Sequence, residues 1–150
     1  MVRPNRPAVS VLAGALLMSA PPALAQTNTA HRSTDVVAGK PHGLGVYGNV
    51  QKDCTSGPLP TVRVVTPPKH GELNVHSGKL KAGRISRCPK LEATAQGVFY
   101  KPNPSYKGAD EVSYEVKSAS GKIERHAVRI TVKEATPADV TSNPDADAEL

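Results

Sequence analysis

Apolar and polar residues alternate with a period of two along the middle of the chain, and no window sustains a helical period. From Glu111 to Lys117 the residues Val112, Tyr114 and Val116 fall on one side, and from Ile123 to Val132 the residues Val128, Ile130 and Val132 do the same. Such alternation marks strands with one face in a core and the other in water. Pro and Gly break the body every few residues, as in all-β chains. Candidate strands cover 44–50, 61–66, 71–76, 91–94 (the least regular), 97–101, 111–117 and 123–132. Leu73 and Val75 point inward, and 75–80, with Ser77 and Gly78, reads as a hairpin turn. Seven short strands at this spacing predict an all-β, Greek-key β-sandwich.

The last two strands can be placed in register. Both inward sets carry even numbers, so facing positions must sum to an even number, since a slip of one residue turns every side chain over. A three-residue loop, Ala119 to Gly121, meets this condition, and a two-residue loop does not. Gly121 then takes the left-handed position of a type I turn with a bulge. On the outer face this register sets Glu111 opposite Arg129 and Glu115 opposite Arg125.

The ends differ from the body. Arg3 and Arg6 precede a short apolar run, and Ala23-Leu24-Ala25 has the small-x-small form of a cleavage site, so 1–25 reads as a signal peptide. Residues 26–43 read as a flexible arm, 44–134 as the folded domain, and 135–150, rich in Ala, Asp, Pro and Thr, as a disordered acidic tail. No second apolar stretch suits a transmembrane helix. The protein is thus expected in the periplasm or secreted. The chain carries a formal net charge of +6. The acids cluster towards the C-terminal end, so the folded segment is more basic than that figure suggests. The two cysteines, Cys54 and Cys88, are expected to form a disulfide in an oxidising compartment, with a stabilisation of roughly 3–4 kcal/mol from the closed loop. One Phe, four Tyr and no Trp make a lean core that benefits from the staple.

Turn residues carry a further pattern. Pro68-x-His70-Gly71 is followed by Tyr100-x-Pro102, then Tyr106-x-Gly108-x-Asp110, then Tyr114-x-Val116. In this order the motifs resemble the bacterial Ig-like, cadherin-like modules of exported and cell-surface proteins. The likeness spans about 62–132 and implies a sandwich fold and an exported context. Gly71 and Gly108 suit turns that a Cβ would oppose, the tyrosines combine buried area with an anchoring hydroxyl, and Asp110 caps the turn that opens its strand. Modules of this kind usually stand in tandem arrays; here there is one copy, with an insertion-like basic stretch at 80–95.

Candidate chemistry is sparse. Lys79, Lys81, Arg84, Arg87 and Lys90 form a basic run suited to an anionic glycan or lipid headgroup, or to a solvated loop. No aromatic residues interleave, so nucleic-acid stacking has no support. His70, Glu72, Asn74 and His76 share a strand face, but six residues span nearly 20 Å, too far for one ion, so no metal site is assigned. Asp110 suits a turn cap better than a calcium ligand, given the few acids nearby. No G-x-S-x-G, no paired catalytic carboxylates and no phosphate-binding Gly loop appear, and no cofactor is implied. The reading is a non-enzymatic exported module that binds a protein or an envelope surface or serves as a structural accessory; the alternative is a binder of anionic polymer or ligand through 79–90. N-terminal sequencing of the exported protein is expected to begin at Gln26, and a chain retaining Met1 would refute the signal peptide.

Overall fold

The structure, a computed structural model, describes residues 28–137. The expected signal peptide with its cleavage site, and most of the expected acidic tail, lie outside the described residues. Among the described residues seven strands form two sheets: β1 (Thr29–Val37), β2 (His42–Gly48), β3 (Thr61–Thr66), β4 (Gly71–Lys79), β5 (Thr94–Pro102), β6 (Gly108–Lys117) and β7 (Ile123–Lys133). One sheet has the order β1-β7-β6-β3 and the other β2-β5-β4. All neighbours are antiparallel except β1, which runs parallel to β7. A single buried cluster joins the two sheets, with Val98 and Tyr100 of β5 and Leu44 of β2 meeting Val112, Tyr114, Val128, Ile130 and Val132 of β6 and β7. The alternation in the sequence places these residues: each is separated from the next on its strand by one outward-facing residue.

The β6–β7 hairpin has the register that parity requires. Glu111 faces Arg129, Val112 faces Val128 and Glu115 faces Arg125. Ser118 N donates to Lys122 O at 2.9 Å and Gly121 N to Ser118 O at 2.9 Å, which closes a loop of Ala119, Ser120 and Gly121. Gly121 has φ +85°, the left-handed value that a Cβ disfavours. Glu115 departs from the expectation of an exposed acid. It lies on the outer face but is only 8% exposed, because Arg63 from β3 and Arg125 from β7 close over it. Their Nη2 atoms lie 2.7 and 2.5 Å from its two carboxylate oxygens.

Four other expectations are corrected. Residues 29–37 are not part of a flexible arm but form β1, paired with β7 from Thr29↔Arg125 to Val37↔Lys133. This edge strand is mostly polar and buries Val36, so hydrophobic periodicity does not reveal it. The 75–80 hairpin is also absent: β4 continues through Ser77 and Gly78 to Lys79, which faces Thr94. Gly78 is tolerated there because β4 is an edge strand whose ladder to β5 needs only backbone groups. Residues 91–93 belong to the preceding loop, and the strand begins at Thr94. Val75 faces inward but remains 37% exposed, since it sits at the margin of its sheet.

The buried Tyr114 and the outward Ser113 provide a contrast across one peptide bond. Tyr114→Ala is expected to cost about 3–5 kcal/mol in urea unfolding. Ser113→Ala, which gives up one exposed hydroxyl contact to Thr66, should cost under about 1 kcal/mol. Equal losses would show that the register is wrong.

Candidate functional site

Short loops at one end of the domain meet beside one buried carboxylate. Gly39 N donates to Pro102 O at 3.2 Å and Asn103 N to His70 O at 2.9 Å, so the loops after β1, before β4 and after β5 meet there. At the start of β6, Asp110 is buried and accepts four hydrogen bonds. Lys69 N and Glu111 N reach Oδ1 at 3.0 and 2.9 Å, and His70 N and Tyr100 Oη reach Oδ2 at 2.9 and 2.8 Å. Burial, the largest single influence on this carboxyl, pushes its pKa up. The donors together outweigh it and hold the group below the usual carboxylate range. Four donors fill the acceptor capacity of a carboxylate, so the side chain acts as a turn cap that also clamps the 67–70 loop.

The motif residues other than Tyr114 and Val116 serve the same corner. Pro68 precedes the clamped amides of Lys69 and His70, and Pro102 is buried beside them. Gly71 is needed for close approach: a Cβ there would lie 2.5 Å from Lys101 O and 2.8 Å from the Tyr100 ring. Gly108 is needed for conformation, with φ +139°. The hydroxyl of Tyr106 donates to Ala109 O at 2.7 Å, and its ring stacks on His70 with centroids 3.9 Å apart. His76 stacks on Phe99, 4.5 Å between centroids, on the outer face of the three-stranded sheet. Thus the two histidines of the 70–76 face lie flat on different aromatic rings. Among the described residues, no group of three His, Cys, Asp or Glu is placed to hold a metal ion.

A polar cluster interrupts the core towards the opposite end. Tyr114 Oη and Tyr47 Oη are 2.8 Å apart. The His126 ring lies 5.1 Å from the Tyr114 ring and 5.3 Å from that of Tyr47. Arg32 of β1 donates to Leu44 O beside them. Burial raises the Tyr47 hydroxyl far above its ordinary range and, with the neighbouring Arg32 charge, lowers the His126 pKa. His126 is therefore held neutral, with Nε2 buried and without a hydrogen-bond partner. Tyr114 was legible in the sequence as a core residue; Tyr47, His126 and Arg32 gave no signal, because each sits in a strand where only its position opposite another strand gives it a partner.

Two long loops define that opposite end. In the first, Val50 bridges Ser56, Gln51 N donates to Thr55 O at 2.9 Å, and Gly57 N donates to Asn49 O at 2.7 Å. The second leaves β4 after Leu80 N bonds to Ala93 O at 2.8 Å, and it runs through successive tight turns over 81–91. Cys54 and Cys88 join the two loops through the disulfide expected from the sequence, with Cα atoms 5.6 Å apart. Arg87 adds a second tie: its guanidinium donates to Val50 O at 2.6 Å and to Gln51 O at 2.9 Å. Of the five candidate anion-binding residues, Arg87 is thus engaged in holding the loops together. Lys79, Lys81, Arg84 and Lys90 are exposed around it. Lys52, missed in the sequence, is carried to the same surface by the disulfide two residues away; the pairing of Cys54 with Cys88 was the signal that could have found it. Beside the staple is a cleft of about 360 Å³ lined by Cys54, Arg87, Cys88, Pro89, Lys90 and Leu91.

Comparison with known proteins adds no identification: neither a scan against protein-family models nor a search of the curated proteins finds a match. Among the described residues, no helix is long and apolar enough to cross a membrane.

The Asp110 clamp has a measurable pH signature. Asp110→Ala is expected to lower unfolding stability by about 3–5 kcal/mol at neutral pH, since several charge-assisted bonds are lost. The folded carboxyl titrates below its unfolded value of about 3.9, so its contribution is complete above that pH and drains away as pH falls through the lower folded pKa. The difference between wild type and Asp110→Ala should therefore shrink in acid. A difference that stays constant down to pH 2 would refute the clamp.

Proposed function

We propose that the protein is a non-enzymatic exported module of the Ig-like, cadherin-like kind, a Greek-key β-sandwich that acts as a binding or structural accessory at the bacterial envelope. Its contact surface is the stapled end. The observation that carries this reading is the double tie between the two longest loops. A disulfide and a guanidinium anchored on two carbonyls rigidify exposed segments that contribute little to the core. Rigid loops on a sandwich lose little entropy on association, which favours recognition. The strand order, with its crossovers between sheets, supports the Ig-like assignment.

The second reading, binding of an anionic polymer or ligand through 79–90, is favoured by the charge of the same surface. Over 49–60 and 79–93 there are six cations and two acids, Asp53 and Glu92. Affinity that falls steeply between low and moderate salt separates this reading from neutral protein recognition.

The test is capture of envelope components by the mature protein, followed by mass spectrometry. The double variant Arg84→Glu/Lys90→Glu at the stapled end should abolish specific capture. Lys69→Glu/Lys101→Glu at the clamped end should retain it. Loss confined to the clamped-end variant would refute the assignment of the stapled end.

A further inference from the structure

The stapled end joins two properties that no single segment possesses. Its charge is strongly one-sided. Lys52 comes from one loop, Lys81, Arg84, Arg87 and Lys90 come from the other, and Lys79 ends β4 beside them. The two acids, Asp53 and Glu92, are both exposed, and Asp53 is engaged on its own loop, accepting from Thr55 N at 3.1 Å and Thr55 Oγ1 at 2.7 Å. The bonds to Thr55 hold its carboxyl below the usual range.

The second property is an open, mostly apolar cleft beside the staple. Cys54, Cys88, Pro89 and Leu91 line it together with the cations Arg87 and Lys90. Ile85 stands half-buried between Arg84 and Arg87 on the adjoining turn. Neither loop contains Tyr, Phe or Trp. Bases bind to proteins without sequence preference largely by stacking on such rings, and sugar rings commonly use the same apolar platforms. Cations around an aliphatic hollow instead match a surface that is anionic outside and hydrocarbon just beneath. The fixed loops keep that arrangement before contact.

We propose that the stapled end docks reversibly on an anionic phospholipid surface, its cations at the phosphate level and the Pro89–Leu91 cleft against the acyl boundary. This rests on the reading of the stapled end as the contact surface and specifies its partner. Each basic residue near an anionic bilayer contributes roughly fivefold in partitioning, and the attraction decays within about 8 Å at physiological salt. Attachment is therefore peripheral and released by salt.

Flotation of the mature protein with vesicles tests this. Vesicles of phosphatidylcholine containing phosphatidylglycerol should bind it at 50 mM salt, and pure phosphatidylcholine vesicles should not. Arg84→Glu/Lys90→Glu should weaken binding at least tenfold, while Lys69→Glu/Lys101→Glu should change it less than twofold. Leu91→Asn, with its folding checked by thermal unfolding, should weaken vesicle binding without altering retention on soluble polyphosphate. No binding to the anionic vesicles would overturn the proposal. So would equal binding to polyphosphate and vesicles with no effect of Leu91→Asn, which would assign the surface to soluble polyanions. If vesicles fail yet Arg84→Glu/Lys90→Glu still abolishes capture of an envelope protein, the lipid proposal falls and the contact surface stands. If neither is affected, both fall.

Discussion

The carboxylate of Asp110 is the constraint on which one end of this domain depends. Four donors converge on it from three places in the chain: the 67–70 loop, Tyr100 in the other sheet, and the start of its own strand. A lean β core cannot fix loop geometry by packing alone. A buried ionised group can, because each donor removed from it leaves uncompensated charge. Tyr100 links this corner to the centre of the core, where its ring is fully buried. The turn residues around it suit the same corner: Gly71 lets β4 approach β5, and Gly108 takes the positive φ with which β6 begins.

The two ends are stabilised by different means. One is held by hydrogen bonds within a network dense enough to need no covalent link. The other has long loops with few buried side chains, and it is held by the Cys54–Cys88 bond and Arg87. Between them, the Tyr47–Tyr114 hydroxyl pair and the neutral His126 form a polar break in the core. The arrangement separates a corner held by hydrogen bonds from a covalently stapled end that carries exposed cations.

Much of the scaffold could be read from the chain, because its signals are local. The alternation through Val112, Tyr114 and Val116 set the inner face, and the Ala119–Gly121 loop fixed the hairpin register. Asp110 was legible as a cap because its turn residues are contiguous, although its bonds to Lys69 and His70 were not. What escaped notice depends on partners distant in sequence. β1 has one well-buried residue on the strand itself, Val36, and is defined by its ladder to β7, which no periodicity records. Ser77 and Gly78 look like a turn, and only the unbroken ladder to β5 keeps them extended. The basic run at 79–90 was evident as composition. That Arg87 ties the loops, and that Lys52 joins the patch, required the disulfide to bring the two loops together.

The parallel pairing of β1 with β7 has a consequence for how the fold is reached. Thr29 finds its neighbour at Arg125, almost the whole described length away. The first strand therefore has no place in its sheet until the last has emerged, and closing so long a loop is slow. The four-stranded sheet stays incomplete for as long as the final strand is withheld, although β2, β4 and β5 can already pair. Completion of the fold is thus tied to the last strand: a chain that ends before β7 leaves β1 with no neighbour in its sheet.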